Sequence, residues 1–192
     1  MKSVMLSIRP KWCEEIVSGE KTIEVRKTKP KLETPFKCYI YCTSGMPDLN
    51  IPISPERLMQ DYLDTGSMQS LNCPLGNGKV IGEFTCDRIY ELAPINHAPD
   101  HVEKQACLTR EEIVNYLKGT GYGWHISDLL IYDQPRELTA FRRLCPNDLY
   151  CEACAMYSNN NGICNNGALT LRRPPQSWCY VEESKQKELE EM

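Results

Sequence analysis

The chain has 192 residues, of which 41% are hydrophobic and 25% charged, enough for one well-packed core and too few for several. Its 22 basic and 26 acidic residues leave a formal charge of -4, which excludes a strongly basic, general polyanion binder. A mean hydropathy of -0.47, with no apolar run near the ~20 residues that cross a bilayer, excludes a membrane-spanning helix.

In chain order, Val4, Met5, Leu6 and Ile8 make a short apolar run that predicts a first strand, and Pro10 suits the first turn of a following helix. Trp12, Cys13, Ile16 and Val17 mark one face of that helix, and Ser18-Gly19 should end it. Ile23 and Val25 then alternate with Thr22, Glu24 and Arg26, the pattern of a half-buried strand whose polar members share a face. Residues 36–42, rich in aromatic and β-branched side chains, predict another strand. Residues 43–78 read as an insertion with one helix over 54–63, for which Ser54 is the N-cap and Pro55 the first helical residue. Residues 79–86 return to a strand pattern that is expected to continue through Ile89 and Tyr90. Thr109 and Glu112 stand at capping-box spacing ahead of Ile113, Val114 and Leu117, so a helix should begin there and stop at Gly119. Strand-like runs follow at 124–132, 136–143 and 178–181. Short strands with two or three helices between them predict an α+β fold built on a small β-barrel.

The absence of a secretory signal is expected because Lys2, Arg9 and Lys11 interrupt the first apolar stretch, and this points to the cytoplasm. In a reducing compartment eleven cysteines are thiols or metal ligands rather than disulfides. Charge is unevenly spread. Residues 1–37 hold nine Lys or Arg against five Glu, so a basic face on an acidic body is expected, and residues 183–192 read as a charged tail.

Gly19-Glu20-Lys21-Thr22-Ile23-Glu24-Val25-Arg26, after a strand and a helix, resembles the G-x-K-x-x-E-x-R signature of the ASCH domain family. Residues 123–129 with Tyr132-Asp133, and residues 173–181, are similar to stretches of its phage and bacterial members. The resemblance implies a PUA-like β-barrel over residues 1–182, carrying insertions at 43–78 and 145–171. It implies binding of RNA or a nucleotide, with a nucleobase or phosphate held in a cleft beside the barrel. It leaves a second activity open, since some members are similar to small amidohydrolases acting on acetylated cytidine; whether this chain is an enzyme is undecided by sequence.

The expected cleft residues are Lys21, Glu24 and Arg26. Arg offers a planar fork and Lys a point charge to a phosphate or base carbonyl. An exposed Glu24–Arg26 pair without function is the plain alternative. A strand glutamate faces the signature lysine in the amidohydrolase-like relatives, and Glu83 matches it best, so Lys21 and Glu83 would be the catalytic pair of a hydrolase. Those relatives carry threonine where this chain has Glu24. Trp124 is a candidate for stacking a base, alongside Trp12 and Trp178, while His125 and Ser177 are candidate ligand contacts; a core tryptophan, a structural histidine and a turn serine are their plain alternatives.

Cys145, Cys151, Cys154 and Cys164 give C-x5-C-x2-C-x9-C in a segment that also carries many Asn, Gly and small residues. Four thiolates suit a tetrahedral structural zinc; an iron–sulfur cluster and a metal-free loop are the other readings. Arg142-Arg143 and Arg172-Arg173 bracket this knuckle. If the insertion closes at its base they should meet as a phosphate-contacting patch, unless they are merely solvated charge. A protein partner docking on the knuckle is a further expectation.

Overall fold

The computed structural model describes residues 2–66, 73–92, 98–145, 157–158, 163–164 and 166–183. Among these described residues, eleven strands and four α-helices follow in order: β1 (Ser3–Ile8), α1 (Pro10–Val17), β2 (Ile23–Arg26), β3 (Phe36–Cys42), α2 (Pro55–Thr65), β4 (Val80–Cys86) and β5 (Ile89–Glu91). Next come α3 (Val102–Ala106), α4 (Arg110–Leu117), β6 (Tyr122–His125), β7 (Ser127–Arg136), β8 (Phe141–Arg143), β9 (Tyr157–Ser158), β10 (Ile163–Cys164) and β11 (Trp178–Glu183).

The strands form a six-stranded sheet in the order β7-β4-β3-β1-β11-β8, a three-stranded sheet β2-β6-β5 and a small β9–β10 ladder. Only β1 and β3 run parallel within the large sheet, with Leu6 beside Ile40; its other pairs are antiparallel. The ladders of the described residues make two open sheets rather than one closed barrel. The class is α+β, as the patterning predicts. The small sheet lies in a stack. Ile23 and Val25 on one of its faces pack with Leu92 against Val102, Ala106, Ile113 and Leu117 of α3 and α4. Trp124 on the other joins Val4, Leu6, Ile8, Cys38, Ile40 and Phe84 of the large sheet. The opposite face of the large sheet buries Met5, Tyr39, Tyr41, Val80, Phe141 and Val181. Covered on both sides, β1 and β3 read as nearly continuous apolar runs, and each fully buried aliphatic side chain there contributes about 2 kcal/mol.

Local chemistry explains the helices. In α1, Pro10 occupies the first position, Cys13 and Ile16 face the core, and Gly19 at φ +81° reverses the chain. Ser54 caps α2, its Oγ accepting from Arg57 N at 3.2 Å and donating to Asp133 at 3.0 Å, so the helix is tethered to β7 without burying a residue of its own. The capping box of α4 is complete: Thr109 N donates to Glu112 Oε2 at 2.7 Å, and Glu112 N to Thr109 Oγ1 at 3.2 Å. Thr109→Ala is expected to cost about 1 kcal/mol, read as a lower urea midpoint at unchanged slope.

Three features depart from the sequence expectations. Residues 89–91 leave the large sheet and pair with β6, because Ile89 stands opposite Trp124 in the small one. The 43–78 segment contributes to the core: Leu49 and Ile51 are buried, held by Ile51 N to Pro74 O and Gly76 N to Leu49 O at 2.9 and 2.8 Å. Lastly, β11 runs through Glu183, so the first residue of the expected charged tail is a strand residue, and both it and Glu182 before it have partners. Glu182 takes Arg142 Nε at 2.6 Å, and Glu183 accepts from Arg136 at 3.1 and 3.4 Å and from Tyr39 at 2.8 Å. Burial alone would raise Glu183; the bonds from Arg136 and Tyr39 outweigh it and hold the carboxyl below its usual range. Among the described residues no helix is long and apolar enough to cross a membrane.

Candidate functional site

The turn after α1 sets the first functional residue. With Gly19 in the left-handed region, Lys21 N reaches back to Glu15 O at 2.8 Å and its side chain is directed inward, 2% exposed. Lys21 Nζ donates to Ala106 O at 2.7 Å and lies 3.5 Å from Glu24 Oε2. Its ammonium also sits 5.3 Å from the Trp12 ring centroid, within cation–π range. Glu24 and Arg26 share the face of β2 that looks toward the large sheet, since Glu24 is registered with Trp124 and Arg26 with Tyr122. They are 7% and 6% exposed, so the half-buried strand expected from sequence is buried on both faces and the solvent-exposed pair does not occur. Arg26 Nη2 meets Glu24 Oε1 at 2.9 Å and donates to Ser7 O at 2.8 Å; Nη1 donates to Ser177 O and Oγ, each at 3.3 Å.

The charge balance of this cluster is its main property. One carboxylate offsets two cations, which leaves a net positive charge inside the protein. Donors also exceed acceptors: Arg26 Nε and Trp124 Nε1 are buried with no hydrogen-bond partner among the described residues. A buried donor left unpaired costs about 1–3 kcal/mol, so the arrangement favours an acceptor-rich guest.

Of the residues singled out from sequence, Lys21, Glu24, Arg26 and Ser177 are brought together. Trp124 is adjacent but wholly enclosed, with Phe36 edge-on at 5.8 Å and Trp178 at 6.0 Å, so it offers its N–H rather than a free face for stacking. The half-buried Trp178 continues the aromatic row to Tyr180 at 5.4 Å and ties its Nε1 to Thr28 Oγ1 at 2.9 Å. His125 is registered with Ile23, on the other face of the small sheet, where Nδ1 lies 2.6 Å from Asp87 Oδ1. Glu83 is on the far face of the large sheet. It is registered with Tyr39, accepts from Tyr132 Oη at 2.6 Å and pairs with Lys37 at 2.6 Å. The carboxylate beside Lys21 is therefore Glu24, and the Lys21–Glu83 pair of the hydrolase reading is not assembled.

Ser7 and Ala106 are site residues that sequence reading missed. Both act through backbone carbonyls, which leave no residue-type signal, and α3, which carries Ala106, is a five-residue helix with no periodicity to read.

Cys151 and Cys154 lie outside the described residues. Cys145 is half-buried, and β10 places the backbone of Cys164 opposite Tyr157. Among the described residues no cluster of His, Cys, Asp or Glu is poised to hold a metal. Cys13, Cys38, Cys42 and Cys86 are buried as small apolar groups; burial pushes the Cys86 thiol up to about 12 and the Cys38 thiol well above its usual range.

The fold is thus an α+β scaffold of two stacked sheets that enclose a cluster of two cations and one carboxylate. The ASCH domain family matches residues 6–112, more than half the chain, and the protein belongs to that family. No curated protein matches it. Similar solved structures include the ASCH protein of Zymomonas mobilis, 17% identical, with 94% of this chain and 87% of that one covered at a TM-score of 0.47. A Tyr-to-Phe variant of the Zymomonas protein is 17% identical over 95% and 91% of the two chains, at a TM-score of 0.48. A Ser-to-Ala variant is 16% identical over 94% and 88%, at 0.47.

Proposed function

We propose that this ASCH protein binds RNA or a nucleotide, holding a nucleobase or phosphate in the cleft between β2 and the β1–β11 pair. The observation that carries the reading is the buried Lys21–Glu24–Arg26 cluster, with one negative and two positive groups and two donors left over. A base carbonyl or phosphate oxygen supplies the acceptors that Arg26 Nε and Trp124 Nε1 lack. Ser177, already in contact with Arg26, stands beside the half-buried Trp178, and in this reading the Trp178 ring stacks on the base. The PUA-like barrel relationship, the kinship with phage and bacterial members and a cytoplasmic location belong to the same reading.

A structural zinc held by Cys145, Cys151, Cys154 and Cys164 completes the proposal. The C-x2-C spacing of Cys151 and Cys154 is that of half a zinc knuckle, and the antiparallel β9–β10 ladder sets the backbone of Cys164 opposite Tyr157, three residues after Cys154. Metal analysis of freshly purified protein is expected to find one zinc per chain, lost on replacing Cys151 and Cys154 with Ser; a metal-free protein would remove this element and leave the cleft reading intact.

The cleft is tested by calorimetric titration of nucleosides, nucleotides and a short single-stranded RNA into wild type and Lys21→Met. Binding by the wild type, weakened about tenfold or more by the loss of the buried ammonium, is the expected result. Equal binding by the two proteins would reject the cleft as the site.

A further inference from the structure

The insertion after β8 is closed at its base. Arg142 and Thr170 form an antiparallel bridge, and Leu171 N donates to Phe141 O at 2.9 Å. The two arginine pairs that flank the insertion are thereby brought side by side, but they are not equivalent. Arg142 is half-buried and paired with Glu182. Arg143, Arg172 and Arg173 are exposed and line a concavity of about 420 Å³ together with Gly167, Ala168, Thr170 and Leu171. No carboxylate is among these described lining residues.

Three guanidinium groups held around one hollow repel one another until an anion enters. The short backbone link through the Arg142–Thr170 bridge keeps them from dispersing fully. Planar forks at this density match the oxygens of a phosphate better than those of a lone carboxylate. The chain as a whole is acidic, so a hollow lined by three arginines and no carboxylate among its described residues departs from the average charge of the protein. The segment leaving it leads to the Lys21–Glu24–Arg26 cluster. Pro175 O accepts from Ser7 Oγ at 2.6 Å, Ser177 O accepts from Ser7 N at 2.9 Å, and Ser177 meets Arg26. From Arg173 to Ser177 the backbone spans at most about 14 Å, within the length of a few nucleotides.

We propose that the Arg143–Arg172–Arg173 concavity is a phosphate-binding site, and that it takes a backbone phosphate of the same RNA strand whose base enters the cleft. The phosphate chemistry rests on the concavity alone; the assignment of that phosphate to an RNA strand rests on the function proposed above. The test is fluorescence anisotropy with a labelled single-stranded oligoribonucleotide over a salt series, with a nucleoside diphosphate and inorganic phosphate as separate probes. The proteins compared are wild type, the triple variant Arg143→Gln/Arg172→Gln/Arg173→Gln and its Lys counterpart. The Gln variant is expected to bind the oligonucleotide about tenfold or more weakly, with a salt slope shallower by roughly 0.7 for each phosphate lost, while the Lys variant keeps the slope. Loss of nucleoside diphosphate binding in the Gln variant, where the wild type binds that probe but not RNA, would support the phosphate site and overturn the RNA assignment. Unchanged affinity and slope in the Gln variant for every probe, or no binding of any probe by wild type, would overturn the site itself. Circular dichroism melts of the variants are expected to match wild type, since all three side chains are exposed.

Discussion

Glu24→Gln is expected to destabilise the protein by about 3–5 kcal/mol, the cost of leaving a buried charge uncompensated. Each oxygen of Glu24 faces a different cation, Lys21 at 3.5 Å and Arg26 at 2.9 Å, and all three side chains are less than a tenth exposed. Removing the carboxylate's charge leaves two cations inside with only carbonyl and hydroxyl acceptors at Ala106, Ser7 and Ser177. Lys21→Met should cost less, because Glu24 keeps Arg26 and the remaining pair is neutral. The order, with Glu24→Gln worse than Lys21→Met, separates a charge effect from simple loss of packing. Urea melts at low and high salt should shift together, as a buried cluster is weakly screened. A Glu24→Gln protein as stable as wild type would show that the cluster does not hold the two sheets together.

Gly82→Val should be comparably damaging, by about 3 kcal/mol, for a steric reason. A Cβ at position 82 would fall inside contact distance of the Leu130 carbonyl and 3.1 Å from both the Cα and Cδ1 of Ile131. Two of these atoms are backbone, so no rotamer change relieves the clash. The β4–β7 register shifts on either side of this point, between Val80 and Gly82 and between Glu83 and Thr85, which shows how closely the two strands are fitted there. Amide exchange is expected to rise along β7 first. Gly167→Ala, with nothing within 4 Å of the added carbon, serves as the control and should stay within about 0.5 kcal/mol of wild type.

What could be read from the sequence was local. The bounds of β3, the Ser54 cap and the Thr109–Glu112 box follow from propensity and side-chain chemistry within a few residues, and the structure agrees with them. The signature lysine, glutamate and arginine were also legible as a group. Their burial was not, because alternation along β2 says which residues share a face but not that a second sheet covers the polar one. Glu83 illustrates the same gap. Its strand was correctly placed, yet the bulge between Ile40 and Tyr41 and the pairing order decide which side of the sheet it occupies, and neither is written locally. The flanking arginines went the other way: their proximity followed from the simple geometry of an insertion closed at its base, and the Arg142–Thr170 bridge supplies that closure.

The first and last strands of the described fold are neighbours, Ser3 beside Val181, and Arg26 is anchored to Ser177, 151 positions further along. During synthesis the signature segment therefore emerges long before its partners. Until β11 has left the ribosome and slotted between β1 and β8, the guanidinium of Arg26 has no Ser177 to meet and the middle of the large sheet stands open. Assembly of the Lys21–Glu24–Arg26 cluster is thus a late, long-range event, of the slow kind that depends on protection of exposed strand edges in the meantime.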